Sequence, residues 1–253
     1  MPTTTKLPVF APGGYRYLPS VFQFSGGVAP EPGFEIERVR LQRPLPLFEG
    51  LAAAEAHLRS IGRPTTAFCA CELRSPGQFD EQAFVEFNRR YVETLERWGL
   101  YAHGVNPVAR TNVCPAVGKP ESPSLYAFSY TVPAAARTSG SFVVAGGAEA
   151  PEDGGEYHDN IVRRNDTSLD AMREKLCYVR TEQERRLSAL GFSWRDVRSV
   201  QAYSVHDIGP LIYDDLVSHG VGVHGLTWHV ASPPVADCEF EMDAHSVLCD
   251  MVR

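Results

Sequence analysis

The sequence predicts a fold in which strands and helices are interspersed, built as two halves of similar design. Runs of alternating apolar and polar residues, such as 15–25, indicate strands. Apolar residues recurring every three or four positions, as in residues 47–61, indicate amphipathic helices. The order of elements then repeats. Leu-Arg-Ser-Ile-Gly at 58–62 corresponds to Leu-Ser-Ala-Leu-Gly at 187–191, and each is followed by a strand, a helix and two strands.

In the first half, glycine and proline residues separate the predicted elements. Two alternating strands, 15–25 and 34–41, are expected to form a hairpin across residues 29–33. The elements that follow are a helix at 47–61 closed by Gly62, a strand at 65–74, a helix at 80–98 with Asp80 as its N-cap, a strand at 106–114 and a strand at 124–132.

The second half repeats this order after a junction near residues 133–139, so we divide the chain into domains 1–136 and 137–253. Its predicted elements are a strand at 141–148, an acidic loop at 151–155, a helix at 169–190 closed by Gly191, a strand at 197–205, a short helix at 209–219 and strands at 226–230 and 238–247.

Composition excludes several classes of protein. The net charge of −7 and the pI of about 5.6 leave no broad basic surface, so nucleic acid is not an expected partner. No apolar run is long enough to span a membrane and no secretory signal is recognisable, so we expect a cytoplasmic protein. The six cysteines are scattered along the chain, and we expect them to be reduced thiols. No His-Glu-x-x-His or paired Cys-x-x-Cys motif is present, and we predict neither a metal nor a cofactor.

The strand at 106–114 carries the most informative set of side chains. The two-residue period of a strand places Val108, Arg110, Asn112 and Cys114 on one face. A guanidinium, an amide and a thiol at this spacing could converge on a small polar ligand, with Arg110 donating to a carboxylate. The alternative is equally compatible with the spacing: a surface arginine, a turn asparagine and a buried cysteine that fills the core.

Three segments in order resemble the RidA (YjgF) family of imine deaminases. They are Phe-Asn-Arg-Arg-Tyr at 87–91, Pro-Val-Ala-Arg-Thr at 107–111 and Leu-Tyr-Ala-Phe-Ser-Tyr at 125–130. The whole chain is similar to the longer RidA-like deaminases of 2-aminomuconate and 2-amino-5-chloromuconate. The resemblance implies an α+β fold of two tandem RidA-like domains, each a mixed sheet with helices packed on one face. It also implies a homo-oligomer, a trimer, with sites in clefts between domains or subunits.

The resemblance also assigns roles within the site. It implies that Arg110 grips a substrate carboxylate, and that a glutamate of the final strand, Glu239 or Glu241, orients the hydrolytic water; of the two we favour Glu239. Asn88 matches a family position near the site, and Asn112 stands where many members carry a cysteine. In the second half, the position equivalent to Arg110 falls near His224, and no arginine stands there. In the first half, Tyr126 lies in the stretch equivalent to the one that carries Glu239 and Glu241 in the second half. We therefore include Asn88, Asn112, Cys114, Tyr126 and His224 as substrate-binding candidates.

The predicted function is a metal-free hydrolytic deaminase in the degradation of aromatic compounds. It would act on the enamine or imine of a small dicarboxylate, of the 2-aminomuconate or 2-amino-5-chloromuconate type. Two alternatives remain open: a chorismatase-like hydrolase, which also uses paired RidA-like domains, and a non-catalytic module that binds small acids. A ribonuclease role is disfavoured by the acidic balance of charge.

Overall fold

A computed structural model describes residues 6–134, 140–152 and 157–253, without the side chains of residues 157 and 158. It shows an α+β protein with two mixed β-sheets. The predicted domain boundary at residue 136 and most of the predicted junction lie outside the described residues, as do positions 153–155 of the predicted acidic loop. Among the described residues, no helix is both long and apolar enough to cross a membrane.

The elements alternate along the chain much as the periodicity predicts. In the first half they are β1 (Val9–Phe10), β2 (Tyr15–Leu18), β3 (Gly27–Pro30), β4 (Phe34–Pro46), α1 (Leu47–Ser60), β5 (Phe68–Arg74), α2 (Glu81–Arg97), β6 (Ala109–Pro115) and β7 (Ser124–Pro133). In the second half they are β8 (Phe142–Ala148), α3 (Tyr157–Asn160), α4 (Leu169–Leu190), β9 (Ser199–Tyr203), α5 (Gly209–Leu211), β10 (Leu226–His229), β11 (Ala231–Ser232), β12 (Glu241–Ser246) and β13 (Cys249–Val252).

Each half contributes four strands with the same order and directions. One sheet contains β6-β5-β7-β4 and the other β10-β9-β12-β8. In both, the first pair is parallel and the other two pairs are antiparallel. A parallel pair needs a crossover connection, which α2 supplies between β5 and β6.

The remaining strands connect the two halves. The six-stranded sheet has the order β11-β6-β5-β7-β4-β13, so its two outermost strands come from the second half of the chain. The seven-stranded sheet has the order β1-β2-β3-β8-β12-β9-β10, so three of its strands come from the first half. Each sheet is therefore completed by the other half of the sequence.

The predicted hairpin between residues 15–25 and 34–41 is wrong. β2 pairs with β3, and β3 pairs with β8 in the seven-stranded sheet, whereas β4 pairs with β7 in the six-stranded sheet. All four residues of β3 are buried. A strand buried on both faces is favoured inside a sheet, between β2 and β8, rather than in an isolated hairpin.

Helices α1, α2 and α4 begin and end within a residue or two of the predicted positions, whereas the predicted helix 209–219 is an α-helix only over Gly209–Leu211 and continues as π and 3-10 turns. The Asp80 carboxylate accepts a 2.8 Å hydrogen bond from the Ala83 N–H at the start of α2. At the end of α4, Gly191 adopts a left-handed conformation with φ of 91°. The buried stripes of α1 and α2 form one hydrophobic core with β5 and β7, and α4 forms a second core with β8, β9 and β12. A third cluster joins the two sheets and includes Val28, Ile36, Ala109 and Ala145.

Candidate active site

Arg110 lies on β6 and is almost completely buried, with 3% of its surface exposed. Its Nη1 donates a 2.5 Å hydrogen bond to Oδ1 of Asn88 on α2. The guanidinium carbon lies 5.0 Å from the ring centroids of both Phe24 and Tyr91, and Phe84 and Phe87 lie slightly farther away. Aromatic faces attract a cation electrostatically. The helix and the aromatic rings therefore hold the guanidinium in one position.

A pocket of about 480 Å³, including its open mouth, adjoins this arginine. Its walls come from both halves of the chain and are mainly apolar; they are formed by Phe24, Phe84, Arg110, Asn112, Ala148, Ala150, Glu152, Pro234, Val235, Cys238 and Glu241. Arg110 and Asn112, two residues apart on β6, reach this pocket together. The pocket thus combines a buried cation, an amide and two carboxyl groups within apolar surroundings.

Two buried amide groups next to Arg110 have hydrogen-bonding capacity to spare. Oδ1 of Asn112 accepts a 2.9 Å hydrogen bond from the Ser75 hydroxyl, and Oδ1 of Asn88 accepts from Arg110. The Nδ2 atoms of Asn88 and Asn112 are both buried and have no hydrogen-bond partner among the described residues. An unsatisfied buried donor costs about 1–3 kcal/mol, so an acceptor on a bound molecule would stabilise Asn112, which lines the pocket.

Glu241 is the first residue of β12 and pairs with Ala148 on β8 and Tyr203 on β9. Burial raises the pKa of its carboxyl well above the ordinary value, and the neighbouring Asp243 raises it further, against the opposing charges of Arg110 and other arginines. The buried site therefore favours the protonated carboxyl of Glu241. A carboxyl group tuned in this way is suited to general acid and base chemistry.

Asp243 lies on the same face of β12 and is held by several hydrogen bonds. Its carboxylate accepts from Gln201 Nε2 and from the Tyr203 hydroxyl, each at 2.9 Å. Burial raises the pKa of Asp243 to about 6, and the charge of Glu72 acts in the same direction, while hydrogen bonds from Thr111, Gln201 and Tyr203 lower it. The two carboxyl groups on this face thus influence each other's protonation.

Space for the Glu241 carboxyl depends on a glycine in the neighbouring strand. A Cβ atom on Gly146 of β8 would overlap Oε1 of Glu241, and it would lie 3.0 Å from Cγ2 of Thr111. The Gly146 N–H in turn donates a 3.1 Å hydrogen bond to the Thr111 hydroxyl. The missing side chain at Gly146 therefore leaves room for the acid between the two sheets.

Glu239, the acid favoured from the sequence, does not line this pocket. The predicted strand 238–247 begins three residues later, at Glu241, so Glu239 precedes the ladder. Its carboxylate lies 2.7 Å from Nε2 of His206 and is 22% exposed. Of the two glutamates considered from the sequence, Glu241 is the one that lines the pocket together with Arg110.

Four other candidate residues are not part of the pocket walls. One of them, Asn88, is completely buried and bonds to Arg110. Tyr126 packs its ring under Arg74, whose guanidinium carbon is 4.1 Å from the ring centroid. Cys114 is buried, and burial together with the charge of Glu241 raises the pKa of its thiol to about 12, which disfavours the thiolate. His224 is exposed in a turn between Gly222 and Gly225, both with positive φ.

The sequence analysis missed several residues that build the site, including Glu152. Its carboxylate accepts a 2.5 Å hydrogen bond from Nη2 of Arg186, a fully buried arginine of α4. Lys175, Gln183 and Arg186 all lie on the buried stripe of α4. Charged and amide residues on the buried face of a helix require polar partners. Their spacing along α4 is visible in the sequence and could have indicated a buried polar partner such as Glu152.

Comparisons with known proteins agree with this picture. The family model described as 2-aminomuconate deaminase CnbZ matches residues 7–251. The 2-amino-5-chloromuconate deaminase of Comamonas testosteroni is 54% identical over 245 residues, which cover 96% of this chain and 98% of the relative.

Similar solved structures include the YjgF gene product of E. coli, with 13% identity and a TM-score of 0.32 over 43% of this chain and 80% of that one. A chorismatase has 10% identity and a TM-score of 0.49 over 88% of this chain and 77% of that one. The family match and the close relative confirm the resemblance predicted from the sequence, and the chain belongs to the 2-aminomuconate deaminase CnbZ family.

Proposed function

We propose that this protein is a hydrolytic deaminase that acts on the enamine or imine of a small unsaturated dicarboxylate, of the 2-aminomuconate or 2-amino-5-chloromuconate type. Membership of the family and the name of the close relative support this reaction class. The observation that carries the proposal for the site is that Arg110 and Glu241, a fixed cation and a carboxyl with a raised pKa, line the same pocket.

Arg110 binds the substrate carboxylate next to the amine-bearing carbon. Its planar guanidinium matches a carboxylate, and the Nδ2 atom of Asn112, which lines the pocket, is a further donor for the same group. The rings of Phe24 and Phe84 flank the conjugated carbon chain, for which an apolar wall is a favourable surface. This binding mode fixes the reacting carbon close to Glu241.

Glu241 then transfers the protons of the reaction. The enamine becomes an imine when nitrogen loses a proton and the carbon next to the amine-bearing carbon gains one, and water then adds to the C=N carbon to give a carbinolamine. Glu241 starts protonated: it gives its proton to the imine nitrogen as water attacks, takes a proton from that water, and then gives this proton to the amine nitrogen of the carbinolamine. The carbinolamine hydroxyl returns a proton to Glu241 as ammonia leaves. The C–N bond breaks as the C=O bond forms, ammonia leaves, and the product is a 2-keto acid.

Substitution of Arg110 tests the binding role. Arg110→Ala should lower kcat/KM for ammonia release from 2-aminomuconate about 10- to 100-fold, because a hydrogen bond to a charged group contributes about 1.5 to 3 kcal/mol. Arg110→Lys keeps the charge but loses the planar fork, so it should be intermediate and should act mainly through KM.

The matched control is Arg59→Ala, which removes an exposed arginine paired with Glu55 on α1 and should leave turnover unchanged. A folded Arg110→Ala protein with the turnover of the wild type would exclude Arg110 from the reaction. Thermal stabilisation of the wild type by dicarboxylates without any release of ammonia would indicate the binding module instead.

A further inference from the structure

We propose that Glu149 is a positioning residue, which fixes the segment 238–240 against the wall of the pocket and thereby sets the position of the Glu241 carboxyl. This inference rests on the proposed function, because it assigns a purpose to the precise placement of Glu241. Glu149 has no place in the mechanism above and was not among the residues expected from the sequence.

The Glu149 carboxylate bonds directly to the backbone that precedes Glu241. Its Oε1 accepts a 2.5 Å hydrogen bond from the N–H of Glu239, and its Oε2 accepts a 3.1 Å hydrogen bond from the N–H of Phe240. Both residues come before the first ladder pairs of β12, which begin at Glu241. The side chain of Glu149 therefore supplies hydrogen-bond acceptors for two N–H groups that lie just before the paired part of β12.

These bonds join two walls of the same pocket. Ala148 and Ala150, on either side of Glu149, line the pocket, and so do Cys238 and Glu241, on either side of the two N–H groups. A shift of the Glu149 carboxylate would thus move both walls relative to each other. The acid would lose its alignment with the reacting carbon, and a misplacement of about 1 Å can cost about 100-fold in rate.

Lys175 of α4 balances the charge of Glu149. Its Nζ lies 3.1 Å from Oε1 of Glu149, and both side chains are completely buried. An unpaired buried charge is strongly destabilising, so the pair also contributes to the fold. The test must therefore separate an effect on the position of Glu241 from an effect on stability alone.

Two variants of Glu149 make this separation. Glu149→Asp keeps the charge and the pairing with Lys175 but withdraws the carboxylate by one methylene. The double variant Glu149→Gln with Lys175→Met removes both charges at nearly constant volume and so leaves no unpaired buried charge, which is the strongly destabilising case. Lys175→Met alone leaves Glu149 charged and unpaired, and it reports how much stability the pair contributes.

We expect both Glu149 variants to lower kcat for ammonia release about 10-fold or more while KM changes less than about twofold, since the carboxylate-binding end of the pocket stays intact. Activity is compared per folded molecule, with Tm measured for each variant. The high-pH limb of the kcat/KM profile should also shift in Glu149→Asp, because the surroundings of Glu241 change. Wild-type kcat and an unshifted profile in Glu149→Asp would overturn the inference.

Glu241→Gln, measured in parallel, separates this inference from the proposed function. If Glu241→Gln loses activity and the Glu149 variants keep the wild-type kcat, the positioning role alone fails. If Glu241→Gln has full activity, the assignment of Glu241 fails, and the positioning role fails with it.

Discussion

Arg110 and Glu241 are both buried beside the same small pocket, but their surroundings favour different charge states: Arg110 stays charged, and Glu241 stays protonated and neutral. Aromatic rings and the Asn88 carbonyl oxygen stabilise the arginine as a cation. Burial and the nearby Asp243 instead keep the proton on Glu241. A cation that binds and an acid that donates are thus set up by environment, not by residue type alone.

The protonation of Glu241 gives the reaction a predictable dependence on pH. The raised pKa means that the proton is held up to higher pH than in an ordinary glutamate, so kcat/KM should be constant on the acidic side and fall as pH rises through that pKa. Asp243→Asn removes a nearby negative charge, which lowers the pKa of Glu241 and should move this limb to lower pH. The measurement is the pH profile of ammonia release in the two proteins. A limb at the same pH in both would show that Asp243 does not influence the reacting acid.

At the scale of elements, the site depends on how β8 and β12 lie against each other. The register between them shifts between Met242 and Ala244, opposite Gly147 and Val144. Next to this irregularity, Gly146 leaves the space that the Glu241 carboxyl occupies. A bulge can redirect a side chain without breaking the sheet.

Gly146→Ala tests that arrangement without removing any functional group. The new Cβ overlaps the end of a side chain and not backbone, so the Glu241 carboxyl can turn away while the strand pairing persists. We expect a fall in kcat of about 10-fold or more with little change in Tm. Gly77→Ala is the control, because nothing lies within 4 Å of a Cβ at that position. Equal activity of the two variants would mean that the carboxyl does not have to occupy this space.

At the scale of the molecule, the halves are joined by exchanged strands and by an ionic group centred on the buried Arg38. Arg38 on β4 bonds to Glu72 on β5 through Nε at 2.7 Å, and to Asp250 on β13 through Nη1 at 2.8 Å. The last strand of the chain is thereby anchored to a sheet formed mainly by the first half. The trimer and the division into tandem domains at residue 136 stay predictions.

Arg38→Met should destabilise the whole protein, because it leaves Glu72 buried beside fewer positive charges. We expect a loss of about 3–5 kcal/mol in the free energy of unfolding at pH 7, measured by urea denaturation. Asp250→Asn is the matched change on the exposed side of the same group, where the aspartate is 43% exposed, and it should cost about 1 kcal/mol or less. Similar losses in both variants would contradict the assignment of Glu72 as the partner that matters.

The same group predicts a response to acid. Burial alone would raise the pKa of Glu72, but the charges of Arg38 and Arg74 outweigh it and hold the pKa at about 2. The stability that this carboxylate contributes is present above its unfolded pKa and is lost as pH falls from about 4.5 towards 2. Denaturation curves across this range should show that loss in the wild type and a weaker one in Arg38→Met. Parallel curves would mean that Glu72 does not contribute to acid unfolding.

The sequence by itself determined the helices α1, α2 and α4, most of the strands, the family, and the position of Arg110 on a strand. These features follow from local periodicity, from caps such as Asp80 and Gly191, and from short motifs, all of which are readable within one stretch of chain.

Only the tertiary structure decided that β3 pairs with β8, and that Glu241 rather than Glu239 meets Arg110 in the pocket. The two-residue period places both glutamates on the same face and cannot tell which of them lies inside the ladder. That choice depends on where β12 begins to pair with β8 and β9, and on the Glu149 carboxylate that binds the residues before it. Contacts between segments about 90 residues apart decide it, because strand pairing is a property of two distant stretches and not of either one alone.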